Sequence, residues 1–300
     1  MKILLLGKDG QVGTELQRTL LPLGQVIAIG RADYDLGELS GLSDLLTKHS
    51  PDIIVNAAAY TAVDKAESNQ DAAILVNATL LALLADYAKQ HDSLLVHYST
   101  DYVFDGQKPA PYIESDAVNP QSIYGASKRA GEEAIINSRC KHLIFRTSWV
   151  FSDHGKNFIK TILQLARERD SLRIVADQYG APTSAELIAD VTALAIANVV
   201  GTQPNLVSGI YHLTAGGSTS WHQLACYAVD KGLENGMSLK LTSQQIHPIS
   251  TDEYPLPAKR PQNSQLDTRA LSNALSLQLP DWRVHVDRVI HQLTQWERSL

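Results

Sequence analysis

His97-Tyr-Ser-Thr100-Asp-Tyr-Val-Phe-Asp-Gly106 opens a segment that continues, after several prolines, as Tyr124-Gly-Ala-Ser-Lys128. The apolar run Leu94–Val96 leads into this segment and predicts a strand. Ser99 and Thr100 then stand at the carboxyl end of that strand, which is where open α/β sheets bind their ligands. The segment therefore predicts both a parallel sheet and a site at its edge.

Tyr124 and Lys128 lie on a helix that is predicted to begin near Ser122. Residues four apart share one face of a helix, so the two side chains are neighbours. A nearby ammonium favours phenolate, and Lys128 is expected to lower the pKa of Tyr124 from about 10 toward neutrality. The pair is thus the predicted acid–base centre.

A second pair with the same spacing, Tyr227 and Lys231, shows that the spacing alone does not identify a site. Only Tyr124 follows a strand that ends in Ser-Thr and a chain that begins with a nucleotide-binding loop. Tyr227 and Lys231 are therefore predicted to lie on a helix surface.

The N-terminal segment predicts a strand, a glycine-rich turn and a helix in succession. Lys2–Leu6 has the length of a buried strand, and the turn reads Gly7-Lys-Asp-Gly10-Gln-Val-Gly13. Glycines let the backbone approach a pyrophosphate, whose charge the helix N-terminus attracts. The segment predicts a dinucleotide site, and a plain turn is the alternative.

The second predicted strand, Gln25–Ile29, ends in Gly30-Arg31, where an NAD site would carry an acid for the ribose. An arginine there can bind a 2′-phosphate through two hydrogen bonds, so NADPH is favoured and NADH is the second choice. In the alternative interpretation, Arg31 is a solvated turn residue and Asp33 or Asp35 contacts the ribose or the adenine.

Strands and helices alternate along the first half of the chain. The predicted strands are Lys2–Leu6, Gln25–Ile29, Pro51–Val55, Leu94–Thr100 and His142–Ser148. Asn69–Lys89 is predicted as one long helix, and the small residues Ala57–Ala59 after the third strand would let a flat cofactor pass. The alternation predicts an α/β protein with a Rossmann-like doubly wound parallel sheet.

The second half of the chain is less regular and predicts a smaller mixed α/β substrate-binding domain. Residues 1–150 are predicted to form the NAD(P)-binding domain, and the chain is expected to return to it around residues 184–214. A helix over Ser184–Val199 and a strand over Gly209–Thr214 form that return. Residues 151–183 and 215–300 are then the predicted cap.

Composition limits the function classes. The 300-residue chain is 44% hydrophobic, and its net charge of −6 argues against a nucleic-acid partner. Cys140 and Cys226 have no metal or redox spacing. His97, His142 and His212 fall in strand patterns and are predicted to be buried or hydrogen-bonded rather than ligands. No signal peptide is recognised and no apolar run reaches about 20 residues, so a cytoplasmic protein without membrane contact is predicted.

Motifs along essentially the whole chain resemble one family. They are Gly7-Lys-Asp-Gly-Gln-Val-Gly13, Val55-Asn-Ala-Ala-Ala59-Tyr-Thr-Ala-Val-Asp-Lys-Ala-Glu67, His97-Tyr-Ser-Thr-Asp-Tyr-Val-Phe104, Tyr124-Gly-x-x-Lys128, Phe145-Arg-Thr-Ser-Trp-Val150, Asp177-Gln-Tyr-Gly-Ala-Pro-Thr183 and Arg260-Pro-x-Asn-Ser-x-Leu266. The glycine loop and the Tyr/Lys pair resemble the extended short-chain dehydrogenase/reductase family. The full set resembles its dTDP-4-dehydrorhamnose reductase branch.

The resemblance implies reduction of the C4 ketone of dTDP-4-dehydro-β-L-rhamnose to dTDP-β-L-rhamnose, the last step of dTDP-rhamnose biosynthesis. It makes Thr100, Tyr124 and Lys128 the catalytic residues. Tyr124 would protonate the developing alkoxide, Lys128 would hold the nicotinamide ribose, and Thr100 would hydrogen-bond the carbonyl oxygen or Tyr124. The dTDP-linked keto-sugar would also contact Asp101, Trp149 and Arg260.

The resemblance also completes the set of expected cofactor contacts. They are Gly7, Gly10, Gln11, Val12, Gly13, Arg31, Asp35, Leu36, Ala57, Ala58, Ala59, Tyr60, Thr61, Tyr124 and Lys128.

A homodimer is a further expectation from the resemblance. Some family members hold Mg²⁺ between acidic side chains at a dimer contact, and Glu15 and Glu186 match two of those positions. The third position is Gln292 here. Losing a carboxylate weakens a site for a hard cation, so the metal is doubtful.

Two other classes of protein carry the same motifs. A reductase or epimerase of another nucleotide-linked deoxysugar would have the same motifs, because pocket shape reads sugar stereochemistry. A non-catalytic regulatory subunit of the methionine adenosyltransferase type keeps the cofactor fold. The intact set of Thr100, Tyr124 and Lys128 argues against the latter.

Overall fold

The computed structural model describes residues 1–298. Its strands are β1 (Lys2–Leu6), β2 (Gln25–Ile29), β3 (Ile53–Asn56), β4 (Leu94–Thr100), β5 (Lys141–Thr147), β6 (Val150–Phe151), β7 (Leu172–Val175), β8 (Tyr179–Gly180), β9 (Thr183–Ser184), β10 (Gly209–His212), β11 (Thr219–Ser220) and β12 (Ile246–Ile249). Its α-helices are α1 (Gln11–Thr19), α2 (Leu42–His49), α3 (Val63–Ala66), α4 (Gln70–Ile74), α5 (Leu80–Gln90), α6 (Ile123–Ser138), α7 (Phe158–Glu168), α8 (Ala185–Val199), α9 (Trp221–Glu234), α10 (Arg269–Leu275) and α11 (Trp282–Arg298).

The centre of the molecule is a six-stranded sheet in the order β10-β5-β4-β3-β1-β2, with every pair parallel. The order reverses between β1 and β3, because the chain first adds β2 on one side and then β3 on the other. Strands β3 and β4 are buried along their whole length. Parallel strands covered on both faces read as continuous apolar runs, which is why these segments were recognisable.

Helices cover both faces of the sheet. Leu4 and Ile54 point to the face that packs against α2, α5 and α6. Ile3 and Val55, their neighbours along the strands, point to the face that packs against α1, α8 and α11. Alternate residues of one strand therefore enter two different cores. The expected α/β, doubly wound fold is confirmed.

The second half of the chain contributes both to the main sheet and to a smaller layer. After α8, strand β10 pairs with β5 as the edge strand of the large sheet. The short pairs β7–β12, β8–β11 and β6–β9 lie with α7 and α9 beside it. The exact limits of two domains stay a prediction.

Element boundaries differ from expectation at several points. Strand β3 begins at Ile53 rather than Pro51, since proline has no N–H for the ladder, and β5 is displaced by one residue. The helix expected over Asn69–Lys89 is divided by a π-helical turn, Leu75–Thr79, between α4 and α5. Helix α8 begins at Ala185, and Ser184 caps it by accepting a hydrogen bond from the N–H of Leu187 at 3.1 Å.

The sequence analysis recognises no apolar run of about 20 residues, but the helical stretch Gln70–Gln90 is both that long and largely apolar. Its 21 residues have a mean hydropathy of 1.4 in the richest window, which by length and composition could cross a membrane. A buried core helix passes the same test, and Leu80, Leu81 and Leu84 pack into the core under the sheet. The stretch is therefore part of the core of the fold.

Candidate active site

The ends of β1 and β3 touch where the strand order reverses. Gly7 follows β1 with a φ of 84°, and a Cβ there would lie 2.6 Å from the backbone N of Ala58. Glycine is required for both reasons, the left-handed backbone and the close approach. Open α/β sheets bind ligands at such a reversal, beyond the carboxyl ends of the strands.

Helix α1 begins directly after this loop. Gly10 is its N-cap, and no described side chain caps it. Uncapped N–H groups and the helix dipole at this end suit a pyrophosphate. Gly13 serves packing instead, because a Cβ there would lie 2.0 Å from the carbonyl oxygen of Gly7. The loop therefore fits the dinucleotide that its glycines predicted.

A cavity of about 620 Å³ extends from the glycine loop across the strand ends. The expected site residues that line it are Gly7, Gly10, Gln11, Val12, Arg31, Asp35, Leu36, Ala57, Ala58, Ala59, Thr61, Thr100, Asp101, Tyr124, Lys128 and Trp149.

Gly13, Tyr60 and Arg260 lie outside that lining. The backbone of Tyr60 is instead held by Asn77 in the π-helical turn. Asn77 Oδ1 accepts from the Tyr60 N–H at 2.9 Å, and its Nδ2 donates to the Tyr60 carbonyl at 3.1 Å. π-Helical turns often mark functional positions, but the sequence offers no signal for one here.

The residues after β2 divide into two groups. Asp33 forms an ion pair with Lys8 at 2.5 Å and accepts from the Gly30 N–H at 2.9 Å. The pKa of Asp33 lies below its usual value, mainly because of the hydrogen bond from Lys8 and next because of the hydrogen bond from the Gly30 N–H. Asp35 and Arg31 both line the cavity, and Arg31 is exposed at its rim with no ion pair among the described residues. Of the alternative acids, Asp35 is better placed than Asp33.

Asp9 is a cavity residue that the sequence interpretation missed. A Cβ on Gly30 would lie 1.9 Å from its Oδ2. The carboxylate thus occupies the space beside the end of β2 where an NAD site carries its ribose-binding acid. The only sequence signal was the glycine at position 30, which leaves room for an acid from another segment.

Thr100 and Asp101 form a buried pair at the end of β4. The Thr100 hydroxyl donates to Asp101 Oδ1 at 2.9 Å and accepts from the Tyr102 N–H at 3.2 Å. The Ser264 side chain lies close to the same carboxylate. The Oδ2 atom of Asp101 nevertheless has no hydrogen-bond partner of standard geometry among the described residues. Burial raises the pKa of Asp101 to about 6, against these hydroxyl contacts.

The pKa of Tyr124 moves opposite to the expectation. Removal from water raises it to about 12, while the hydroxyl of Thr100 lowers it in part. Lys128 is not among the groups that shift this pKa, and its Nζ donates to the Tyr98 carbonyl at 2.6 Å. Tyr124 is therefore a firmly protonated donor, with its ring packed edge-on against Tyr102 at 5.6 Å between centroids.

Lys128 is 1% exposed, and its Nζ lies 3.0 Å from Nε2 of His97. Burial lowers the pKa of Lys128 to about 7, although Glu132 acts in the opposite direction. His97 was predicted to be a buried or hydrogen-bonded histidine, which it is. Its contact with a catalytic candidate was missed, because sequence shows only that it precedes Thr100 on a strand.

Trp149 lies at the cavity wall in a left-handed conformation, with φ of 48°. Such a backbone costs a bulky residue on the order of 1–2 kcal/mol, and strain of this kind clusters at functional sites. Its ring stacks on Trp221 at 3.5 Å between centroids and 13° between planes. Trp221 also lines the cavity and was not anticipated from sequence.

Arg260 lines a second cavity of about 600 Å³ that shares Tyr102 and Trp221 with the first. Its guanidinium forms an ion pair with Asp64 at 2.7 Å and donates to the carbonyl of Ala258 at 3.0 Å. Arg260 is thus next to the main cavity rather than in it.

The pair Tyr227 and Lys231 has structural partners. The Tyr227 hydroxyl donates to Asp287 at 2.6 Å, and Lys231 pairs with Glu234 at 2.7 Å. Neither residue lines the main cavity.

Of the two acidic positions matched to a metal site, Glu186 already has a cationic partner in its own chain, whereas the ligand atoms of Glu15, Asp153 and His154 lie within 4.8 Å of one another. Glu186 pairs with Arg288 at 3.0 Å and with His285 at 3.8 Å. The hydrogen bond from His285 lowers the pKa of Glu186 the most. Burial acts in the opposite direction, and the charge of Arg288 and a hydrogen bond from Gln292 lower the pKa further. Burial and then Glu186 raise the pKa of Glu15. Glu186 is therefore already neutralised within its own chain.

A profile of the family described as RmlD substrate binding domain matches residues 1–295. The dTDP-4-dehydrorhamnose reductase of Shigella flexneri is 48% identical over 297 residues, 98% of each chain. That of Burkholderia thailandensis is 48% identical over 295 residues, 98% of this chain and 99% of its own. The crystal structure of dTDP-4-dehydrorhamnose reductase from Bacillus anthracis in complex with NADP has a TM-score of 0.88 at 32% identity, covering 97% of this chain and 99% of that one.

Proposed function

Since the chain belongs to the dTDP-4-dehydrorhamnose reductase family, we propose that it reduces the C4 ketone of dTDP-4-dehydro-β-L-rhamnose to dTDP-β-L-rhamnose. It is an NAD(P)H-dependent oxidoreductase of dTDP-rhamnose biosynthesis. One observation carries the proposal: the glycine loop lines the same cavity as Thr100, Tyr124 and Lys128. A dinucleotide on the loop and a ketone at these side chains would meet in one space, which makes the reaction effectively unimolecular.

The bound cofactor supplies a hydride to the carbonyl carbon. Tyr124 donates its hydroxyl proton to the carbonyl oxygen as negative charge develops there. A pKa of about 12 keeps this donor protonated at neutral pH. The Thr100 hydroxyl lies beside Tyr124 and lowers its pKa in part, and it is itself oriented by donating to Asp101.

The two cavities suggest how the substrate lies. We propose that the sugar packs against Trp149 and that the thymidine diphosphate extends past Trp221 and Tyr102 into the second cavity. That cavity combines apolar walls with Arg260, a mixture suited to a base and a diphosphate.

An assay with a panel of dTDP-4-keto sugars tests the proposal. Oxidation of reduced nicotinamide is followed by absorbance, and the product configuration at C4 is read by NMR. We expect dTDP-4-dehydro-β-L-rhamnose to have the highest kcat/KM. Faster turnover of another sugar would assign the chain to that sugar, and cofactor binding without any turnover would favour a regulatory role.

For the cofactor, we propose a preference for NADPH of about tenfold in kcat/KM, which corresponds to one charge-assisted hydrogen bond at an exposed position. Arg31 at the cavity rim supports it. Asp9 beside Gly30 opposes it, because its carboxylate would repel a 2′-phosphate and accept from a free hydroxyl.

The two side chains give paired variants. Arg31→Ala should raise KM for NADPH and leave NADH nearly unchanged, because only NADPH carries the phosphate. Asp9→Asn should improve NADPH relative to NADH. If neither substitution alters the ratio of the two cofactors, the adenosine end is recognised elsewhere, with Asp35 as the next candidate.

We further propose a cytoplasmic homodimer that does not depend on Mg²⁺. Because Glu186 is paired with Arg288 and faces Gln292 rather than a third acid, no cation is needed to balance the charge. EDTA should change neither the activity nor the elution volume in size-exclusion chromatography. Dissociation on chelation would restore a metal at Glu15 and Glu186.

A further inference from the structure

A loop from the second half of the chain lies against the first turn of α1. Residues 152–157 connect β6 to α7, and three of their side chains contact Gln11, the first residue of α1. The Gln11 Oε1 atom accepts from Nδ2 of Asn157 at 3.0 Å and lies 3.1 Å from the Ser152 hydroxyl. Nε2 of His154 lies 3.2 Å from the Gln11 carbonyl oxygen. These contacts join positions at least 141 residues apart in the chain.

Asn157 fixes the end of this loop. Its Nδ2 also donates to the Ser152 carbonyl at 2.7 Å, and its Oδ1 caps α7 by accepting from the Lys160 N–H at 3.1 Å. Gly155 passes close to Gln11, since a Cβ there would lie 3.1 Å from the Gln11 Cγ, and its φ of 67° is left-handed. The loop is therefore held against α1 along its length.

Lys156 is the cation that this loop carries. It is exposed, and it lines the main cavity together with Gly10 and Gln11. Among residues 1–298 it forms no ion pair. The carboxylate of Asp153, in the same loop, instead lies 2.7 Å from Nδ1 of His154. The Lys156 ammonium is accordingly available to an anion in the cavity.

The glycine loop has no spare positive charge of its own. Lys8 pairs with Asp33 at 2.5 Å, and the carboxylate of Asp9 lines the cavity. These three side chains together are negatively charged, and the pyrophosphate of a dinucleotide would add further negative charge. The N-terminus of α1 offers only the partial positive charge of a helix dipole. A cation from another segment would offset the rest.

The other cations of the cavity lie elsewhere in it. Among the described residues, the cationic side chains that line it are Arg31, Lys128 and Lys156. Arg31 follows β2, on the side of the adenosine. Lys128 is buried beside the catalytic candidates, where its Nζ donates to the Tyr98 carbonyl at 2.6 Å. Of the three, only Lys156 belongs to a loop that contacts the N-terminus of α1.

We propose that Lys156 binds the pyrophosphate of the nicotinamide cofactor and that Gln11 positions the loop that carries it. The inference rests on the proposed reductase function for the identity of the dinucleotide. The N–H groups at the start of α1 bind one side of the pyrophosphate, and the Lys156 ammonium binds its other side. NADPH and NADH share this group, so the contact strengthens the binding of both and does not select between them.

Equilibrium binding measures this contact without any sugar. Quenching of tryptophan fluorescence by NADPH and by NADH gives both dissociation constants, because Trp149 and Trp221 line the same cavity. In Lys156→Gln we expect both constants to rise by about tenfold, the effect of one charge-assisted hydrogen bond at an exposed position. Lys156→Arg keeps the charge and should retain most of the affinity. Lys240→Gln is the matched control, since Lys240 is an exposed lysine that does not line the cavity.

Ionic strength separates a charge effect from a packing effect. Salt screens exposed charges, so the difference between wild type and Lys156→Gln should shrink between about 0.05 M and about 1 M salt. A loss of affinity that salt does not change would assign Lys156 to loop packing, and a loss confined to NADPH would assign it to the 2′-phosphate. Either result, or unchanged constants in Lys156→Gln, overturns the proposal. Failure to reduce the sugar would count only against the proposed function.

Gln11→Ala tests the positioning. Without the Gln11 side chain the loop loses its contacts with Ser152 and Asn157, so Lys156→Gln should reduce affinity by a smaller factor in this background than in wild type. An undiminished factor would show that Gln11 does not position the lysine. Ser152→Ala removes one of the two contacts and replaces Gln11→Ala in the comparison if that variant does not fold.

Discussion

Asp101 gives the sharpest test of the site's electrostatics. The carboxyl is 3% exposed, and burial raises its pKa from 3.8 to about 6. Between these values the folded state binds more protons than the unfolded state, so the free energy of unfolding falls as pH rises. At 1.36 kcal/mol per pKa unit, the full cost above pH 6 is about 3 kcal/mol.

Asp101→Asn removes the ionisation and keeps an oxygen that can accept from Thr100. The new NH₂ group changes the free energy of unfolding by an amount that does not depend on pH. The informative quantity is therefore how the difference in this free energy between variant and wild type changes with pH. We expect the stability of the variant relative to wild type to improve by roughly 2–3 kcal/mol between about pH 4 and pH 7.5.

Urea denaturation at a series of pH values measures this difference, with the slope m checked for constancy. Asp105→Asn is the control. Its bond from Tyr112, followed by that from the Gln107 N–H, lowers the pKa of Asp105, so the relative stability of that variant should move the opposite way. A pH-independent difference for Asp101→Asn would show that the carboxyl is as well solvated in the fold as in the unfolded chain.

Three further outcomes follow from the structure. Tyr124→Phe should lower kcat by 10²–10⁴-fold with cofactor affinity intact, while Tyr227→Phe is silent in kinetics; more than a third of wild-type kcat would refute the assignment. Glu132→Gln should cost about 3–5 kcal/mol in urea denaturation, since it strands the buried guanidinium of Arg146, and a cost below about 1 kcal/mol would contradict this. Gly7→Ala should lose at least 1–2 kcal/mol from the left-handed backbone alone, so an unchanged Tm would show that the loop rearranges freely.

The sheet was predictable because its signal is local. Buried parallel strands are short apolar runs followed by glycine or small residues, and β1, β2 and β4 match expectation residue for residue. The π-helical turn within Gln70–Gln90 was not predictable. It depends on Asn77 reaching the Tyr60 backbone, a contact between distant segments.

The candidate active site was likewise predictable from the sequence only in part. Tyr124 and Lys128 were recognisable from spacing and context, but their protonation was not. Sequence places the ammonium near the phenol, whereas the fold directs Nζ to the Tyr98 carbonyl and His97. Burial then has the largest effect on the pKa of both residues.

The stacked indoles of Trp149 and Trp221 join the end of the large sheet to the first turn of α9. Two chromophores 3.5 Å apart couple electronically, and coupled transitions give paired circular-dichroism bands of opposite sign. The circular-dichroism signal of this pair therefore reports the distance between these two segments. A sugar that slides between the rings would erase the couplet, and one that lies on their outer face would preserve it.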